Sequence, residues 1–273
     1  MANAKDLTGP PHRNILIVGD TGAGKTTQIL SLPGKKFVYA FDPNCLASLA
    51  GYDLEYEEFL PDEMEIDATI KGFNKGSRPD DRPASKIEPT LYTRWVDDIT
   101  EKNATGFFDP FDWIVFDSLT FLQKGAMDRC LWINNRYGKT EELGDYRIVG
   151  SKLANVFRPI FASKKSILCT GHLTSFQDDK TKKITTQLNL MGQARAMLPL
   201  GCTDIMECFR GDTDKGGRYL MRTRPDPRGL KCIRSTIRGL EEVEDITIDD
   251  LDKPQEYGIG KLLLTKGIKY API

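Results

Sequence analysis

Residues 14–30 read Asn-Ile-Leu-Ile-Val-Gly-Asp-Thr-Gly-Ala-Gly-Lys-Thr-Thr-Gln-Ile-Leu, and within them positions 19–26 satisfy the spacing G-x-x-x-x-G-K-[ST]. The apolar run 15–18 predicts a buried strand, Gly19, Gly22 and Gly24 let the backbone curl, and residues 26–30 begin a helix. That order turns backbone N–H groups and a helix N-terminus toward one anion. Gly19, Asp20, Thr21, Gly22, Ala23, Gly24, Lys25, Thr26 and Thr27 are therefore the expected phosphate-binding residues. In such a loop Lys25 reaches the β- and γ-phosphates, the Thr26 hydroxyl ligates Mg²⁺, and Thr27 contacts the α-phosphate. The expected ligands are ATP and Mg²⁺.

The chain has 273 residues, enough for one large α/β domain with a core that needs no staples. Its cysteines (Cys45, Cys130, Cys169, Cys202, Cys208, Cys232) include no C-x-x-C pair, and His12 and His172 are the only histidines. A zinc site is not expected, and the cysteines read as free thiols of a reducing cytoplasm. Neither a signal core at the N-terminus nor a stretch of membrane-spanning length is present, so the expectation is a soluble, cytoplasmic protein without membrane contact. With a net charge of −1 there is no global attraction to nucleic acid. The charge is nonetheless uneven: residues 207–239 hold nine basic residues against four acidic ones, and residues 241–256 hold eight acidic residues against Lys253. Such runs are most often solvated faces, but a basic block beside an acidic one also permits subunit contacts.

Further along, residues 36–41 predict a second buried strand ending in Asp42-Pro43-Asn44, and the polar stretch 51–90 reads as an insertion or mobile loop. Residues 89–101 have helical spacing through Leu91, Trp95 and Ile99. Asp112-Trp-Ile-Val-Phe-Asp117 is a strand ending in a carboxylate, the second motif of phosphate-loop ATPases, in which the Asp binds Mg²⁺ directly or through water. Helices are expected at 119–134, 145–162 and 191–200, and a strand at 166–170. A hairpin is expected at 176–190 with its turn at 178–183, and strands at 204–210, 217–223 and 230–235. Strands alternating with helices argue a mainly parallel sheet flanked by helices, with antiparallel strands toward the C-terminus. The expected division is a tail at 1–13, an ATPase domain at 14–240, and an acidic segment and tail at 241–273.

This order of parts resembles the RecA-like branch of P-loop ATPases. More narrowly, it resembles the short RecA-core single-strand annealing proteins of the Sak type found in phages, through residues 19–27, 41–43, 113–120, 170–172, 190–194, 204–206 and 218–220 and the basic pair Lys231 and Arg234. The resemblance covers residues 14–238. It implies a RecA-like P-loop NTPase core that hydrolyses ATP, binds single-stranded DNA, and assembles as a homo-oligomeric ring or filament during recombination, with a single-strand binding protein among its conceivable partners. It implies catalytic roles for Lys25 and Asp117, and it sets His172 at the strand end where such proteins keep a polar sensor of the γ-phosphate. It implies DNA contacts from Arg136, Tyr137 and Lys139 on one loop and from Lys180, Lys182 and Lys183 on the hairpin, a stacking aromatic among cations being suited to single strands. It also implies cations acting across subunits, Lys231 or Arg234. One departure stands out: RecA carries its catalytic glutamate where this chain has Asn44, and an amide cannot accept a proton from water. Asp42 is the expected substitute, or hydrolysis is slow.

Two other readings compete. A kinase of a small metabolite would also carry both motifs, although no compact Arg-rich lid follows the second. A protein gated by nucleotide with little hydrolysis fits Asn44. A GTPase does not fit, because Asn74-Lys75 continues as Gly76-Ser77 and not as a base-reading motif.

Overall fold

The computed structural model describes residues 12–73, 83–177, 179, 182, 184–214, 216–226 and 230–266. Lys180, Lys183, most of the tail 1–13, the polar point at 78–82 and residues 267–273 lie outside the described residues.

In chain order the elements are β1 (Asn14–Gly19), α1 (Gln28–Ser31), β2 (Lys36–Ala40), β3 (Glu55–Glu58), α2 (Glu63–Phe73), α3 (Leu91–Thr105), β4 (Trp113–Asp117) and α4 (Leu119–Ile133). There follow α5 (Leu143–Phe161), β5 (Ser166–Gln177), β6 (Ile184–Leu188), α6 (Ala194–Gly201), β7 (Asp204–Thr213), β8 (Gly216–Arg222), β9 (Val243–Asp245) and α7 (Gly258–Thr265). The strands form one sheet in the order β3-β2-β4-β5-β1-β7-β8-β9, with β6 paired to β5. All pairings from β3 across to β7 are parallel, whereas β7–β8, β8–β9 and β5–β6 are antiparallel. This is an α/β P-loop NTPase fold, with β5 lying between the phosphate-loop strand β1 and the carboxylate strand β4.

Strands buried on both faces alternate between two apolar layers. Ile15 and Ile17 of β1 face one layer with Ile29, Met206, Ile259 and Leu263, while Leu16 and Val18 face the other with Trp95, Phe116, Phe157 and Leu198. The second layer is largely aromatic. Trp95 lies 6.2 Å from Phe116 and 5.9 Å from Phe157, ring centre to ring centre, and each ring so buried contributes about 1.5–3 kcal/mol. The spacing Leu91, Trp95, Ile99 forms the buried stripe of α3, which ends at Gly106 with φ of 73°. On α5 a capping box, Glu142 with Asp145, satisfies the first free N–H groups.

Several expectations need correcting. The helix after the phosphate loop is a single turn, because Leu32 precedes Pro33 and is driven to an extended conformation (ψ 136°). Part of the stretch read as an insertion is regular structure: β3 pairs with β2, Phe59 enters the core, and buried Glu65 accepts the Thr90 N–H at 2.6 Å. Residues 230–235 form no strand, only a bridge from Arg234 to Ile205 of β7, and it is β9 that pairs with the outer edge of β8. The expected boundary at 240 also disappears. Beyond it, β9 extends the sheet and α7 buries Ile259 and Leu263 against α1. Gln28 holds that junction, donating to the Ile246 carbonyl and accepting the Ile259 N–H, both at 2.9 Å.

Candidate nucleotide site

The residues singled out by the two motifs converge at the C-terminal edge of the parallel strands, where ligands of open α/β sheets bind. Gly19 closes β1 so near β7 that a Cβ there would sit 2.2 Å from the Cys208 carbonyl oxygen. Gly24 has φ of +82°, and a Cβ on it would meet the Tyr219 ring at 2.9 Å, so the loop depends on glycine at both positions. Lys25 is buried and donates to the carbonyls of Gly19 at 3.0 Å and Asp20 at 2.8 Å, which folds the loop over its own lysine. Burial lowers the pKa of Lys25, while Asp117, Asp20 and Asp42 partly offset the shift. A buried cation held only by carbonyls is poised for an anionic ligand.

Asp117, 2% exposed, joins the two motifs. Its Oδ2 accepts the Thr26 hydroxyl at 2.8 Å and its Oδ1 accepts the Thr170 hydroxyl. Burial pushes its pKa up, opposed by those two hydrogen bonds and by Lys25. A desolvated carboxylate beside a hydroxyl is the oxygen donor set that suits Mg²⁺, with the remaining positions left to water and phosphate. Thr26 and Asp117 are thus the residues that would hold the metal, which in such sites neutralises phosphate charge.

The flanking strands complete the site. The end of β2 is tied to β4, the Phe41 N–H donating to the Asp117 carbonyl at 2.7 Å. Asp42 follows, half-buried, its Oδ1 accepting the Asn44 N–H at 3.2 Å, while Asn44 is exposed. His172 stands on β5 beside Gly19. Its backbone N–H donates to Thr120 Oγ1 at 3.0 Å, and its Nδ1 is buried with no hydrogen-bond partner among the described residues. Burial and Lys25 lower its pKa, against Asp42 and Asp20, which keeps the ring neutral at pH 7. Lys25, Thr26, Asp42, Asp117 and His172 are therefore gathered at one place.

The other expected residues are not. Tyr137, 9% exposed, lies in the aromatic core layer and offers no face to a base. Arg136 pairs with Asp145 at 2.8 Å and Glu142 at 3.0 Å, which fixes the start of α5, and Lys139 is half-buried. Arg234 gives its guanidinium to the carbonyls of Pro199 at 2.5 Å and Cys202 at 2.9 Å, closing α6 at the sheet edge opposite the phosphate loop. Lys231 is exposed, as is Lys182 on the β5–β6 turn. Sequence reasoning left out Thr170, Thr120 and Tyr219 from the site. A threonine ending an apolar strand is a visible signal, but its relevance depends on β5 being the neighbour of β4.

Fold and site together define a P-loop ATPase. Residues 12–230 match the AAA domain family, and the chain belongs to it. No curated protein matches the chain. Solved structures similar to it include the flagellar accessory protein FlaH from Methanocaldococcus jannaschii, at 15% identity over 88% of each chain with a TM-score of 0.41. Another is the KaiC-like protein PH0186 from Pyrococcus horikoshii OT3, at 13% identity over 89% of this chain and 87% of that one, with a TM-score of 0.42. Among the described residues no helix is long and apolar enough to cross a membrane.

Proposed function

We propose that this protein couples ATP binding and hydrolysis to the binding of single-stranded DNA, and that it promotes strand annealing in phage recombination in the host cytoplasm. The observation that carries this reading is the continuity of β5. The twelve-residue strand from Ser166 to Gln177 carries Thr170, bonded to Asp117, and His172, beside the phosphate loop, and continues out into the β5–β6 hairpin. The resemblance to RecA-type proteins supplies DNA as what the hairpin meets. A change at the γ-phosphate then has a rigid route to the hairpin tip, where Lys182 stands exposed. Lys25 and the residues of the loop hold the phosphates, Thr26 and Asp117 hold Mg²⁺, and Asp42 orients the attacking water in place of the carboxylate missing at Asn44. Lys231, exposed where Arg234 is committed within its own chain, is the cation left to reach a neighbouring copy's γ-phosphate in a ring or filament.

ATP turnover measured with and without single-stranded DNA tests this. Stimulation by DNA, lost in Lys25→Ala, is expected; turnover indifferent to DNA would refute the coupling. A second reading, nucleotide-gated binding with little hydrolysis, is favoured by the exposed amide of Asn44. It predicts DNA binding that responds to ATP although single-turnover hydrolysis is negligible.

A further inference from the structure

The outer face of the α5–α6 layer is positively charged. The arc of α5 turned away from the core holds Arg147, Ile148, Lys152 and Arg158, all exposed, and the turn after the helix adds Lys164. Asp145 is the one acidic residue on either helix, and it is buried in its pair with Arg136. Arg147, Lys152, Arg158 and Lys164 have no ion-pair partner among the described residues. Apolar side chains are exposed among them: Ile148, and on α6 Met197 and Leu200, the last at 70%.

The acidic segment 241–256 has the complementary character. Arg218 takes Asp245 and Asp249, and Lys266 takes Glu244, which leaves Glu241, Glu242, Asp252 and Glu256 exposed with Val243 and Leu251 between them. The two patches lie on opposite sides of the sheet. Val149, Leu153, Phe157 and Leu198 anchor α5 and α6 in one apolar layer, while Ile246, Ile259 and Leu263 anchor the acidic segment and α7 in the other. The patches therefore cannot meet within one molecule.

We propose that copies of this chain associate head to tail, the basic α5–α6 face of one seated against the acidic 241–256 segment of the next. This deepens the assembly in the reading above by naming its surfaces. Unlike patches on opposite faces give a heterologous contact, which closes into a ring or continues as a filament. A two-fold pairing through either patch alone would oppose like charges. The exposed isoleucine, methionine and leucines favour a protein partner, since an interface between proteins buries an apolar centre inside a polar rim whereas phosphate contacts need none.

Two charge-reversed proteins test the proposal by sedimentation with ATP at about 0.1 M salt, where surface charges act over about 10 Å. One carries Arg147→Glu, Lys152→Glu and Arg158→Glu; the other carries Glu241→Lys, Glu242→Lys and Asp252→Lys. Each alone should self-associate about tenfold or more weakly than the unaltered chain, and an equimolar mixture should assemble again, because every junction in it regains opposite charges. For the unaltered chain, which needs no refolding control, raising the salt should weaken assembly. An unaltered chain that stays monomeric, a reversed protein that assembles undiminished, or a mixture that stays apart would overturn the proposal. So would a loss of single-stranded DNA binding in the first variant with assembly intact, which would give the face to nucleic acid. Binding of a fluorescent ATP analogue to the same preparations reports separately on the nucleotide site.

Discussion

At the scale of single residues, Asp117 carries the most opposed demands. To hold a divalent cation it would have to be charged, yet it sits where burial favours the neutral acid. Because its pKa is raised in the folded state, the folded protein binds more protons than the unfolded chain between the ordinary carboxylate value and the raised one. The resulting stability is complete below the ordinary value and is lost as pH rises through the raised one. Asp117→Asn removes the charge while keeping an oxygen for Thr26 or Thr170. The metal-free variant should then unfold at a higher temperature at pH 7, by about 2–4 °C for each 1 kcal/mol of relieved penalty, with the gain shrinking toward acid pH. Mg²⁺-dependent ATP turnover should fall by a hundredfold or more, on the order of what removing one charge-stabilising group costs. Calorimetry across pH and a turnover assay check the pair of effects; lower stability at pH 7 would mean that the hydrogen bonds outweigh the desolvation. His172 has the opposite sign. Its lowered pKa contributes stability above its ordinary value that is lost as pH falls through the depressed one.

Among the elements, the β5–β6 hairpin has the clearest consequence. Its pairing runs from Leu173 opposite Leu188 to Gln177 opposite Ile184, and its base is held where the Asn189 N–H donates to the His172 carbonyl at 2.9 Å. Gln123 of α4 fastens the same base, donating to the Asn189 carbonyl at 2.6 Å and accepting the Met191 N–H at 2.7 Å. If Lys180, Lys182 and Lys183 each neutralise one phosphate, replacing all three with Ala should lower the salt slope of single-stranded DNA binding by about 0.7 for each phosphate no longer neutralised. Fluorescence anisotropy at several salt concentrations measures it, and a slope that does not move would shift the DNA surface to another element.

Over the whole molecule, the C-terminal segment is part of the machine and not an appendage. Gly260 approaches α1 so closely that a Cβ would lie 1.6 Å from the Ser31 carbonyl oxygen, and Ser31 Oγ accepts the Gly260 N–H at 3.1 Å. The turn that follows the phosphate loop is thus pinned by residues more than two hundred positions away, through Gln28 and Ser31. Gly260→Ala should lower stability by about 1–3 kcal/mol, the usual cost of overpacking, and it should do so in one cooperative transition that includes the phosphate loop. Differential scanning calorimetry read beside nucleotide binding distinguishes this from a separately melting C-terminal unit. The charge runs also resolve at this scale. Arg218 is spent on Asp245 and Asp249, and Arg222 on Glu207 and Asp226, so these two cations of the basic block are neutralised within the chain.

Local chemistry made most of the fold, and the residues gathered at the candidate nucleotide site, legible in the sequence. A phosphate loop is a contiguous backbone device whose glycines, lysine and threonine must be adjacent in the chain, and Asp117 is marked by the apolar strand it ends. Periodicity exposed α3, α4 and α5 because a buried stripe repeats within one helix. What depends on residues far apart in the chain was decided only by the tertiary structure. That Thr170 rather than another threonine meets Asp117 follows from β5 lying between β1 and β4. That Tyr137 is core, that Arg234 closes α6, and that β9 rather than residues 230–235 completes the sheet depend on which surfaces were left to cover once the strands had paired. Composition and spacing report how a segment can fold; its neighbours determine whether a tyrosine, an arginine or an acidic run is available for function.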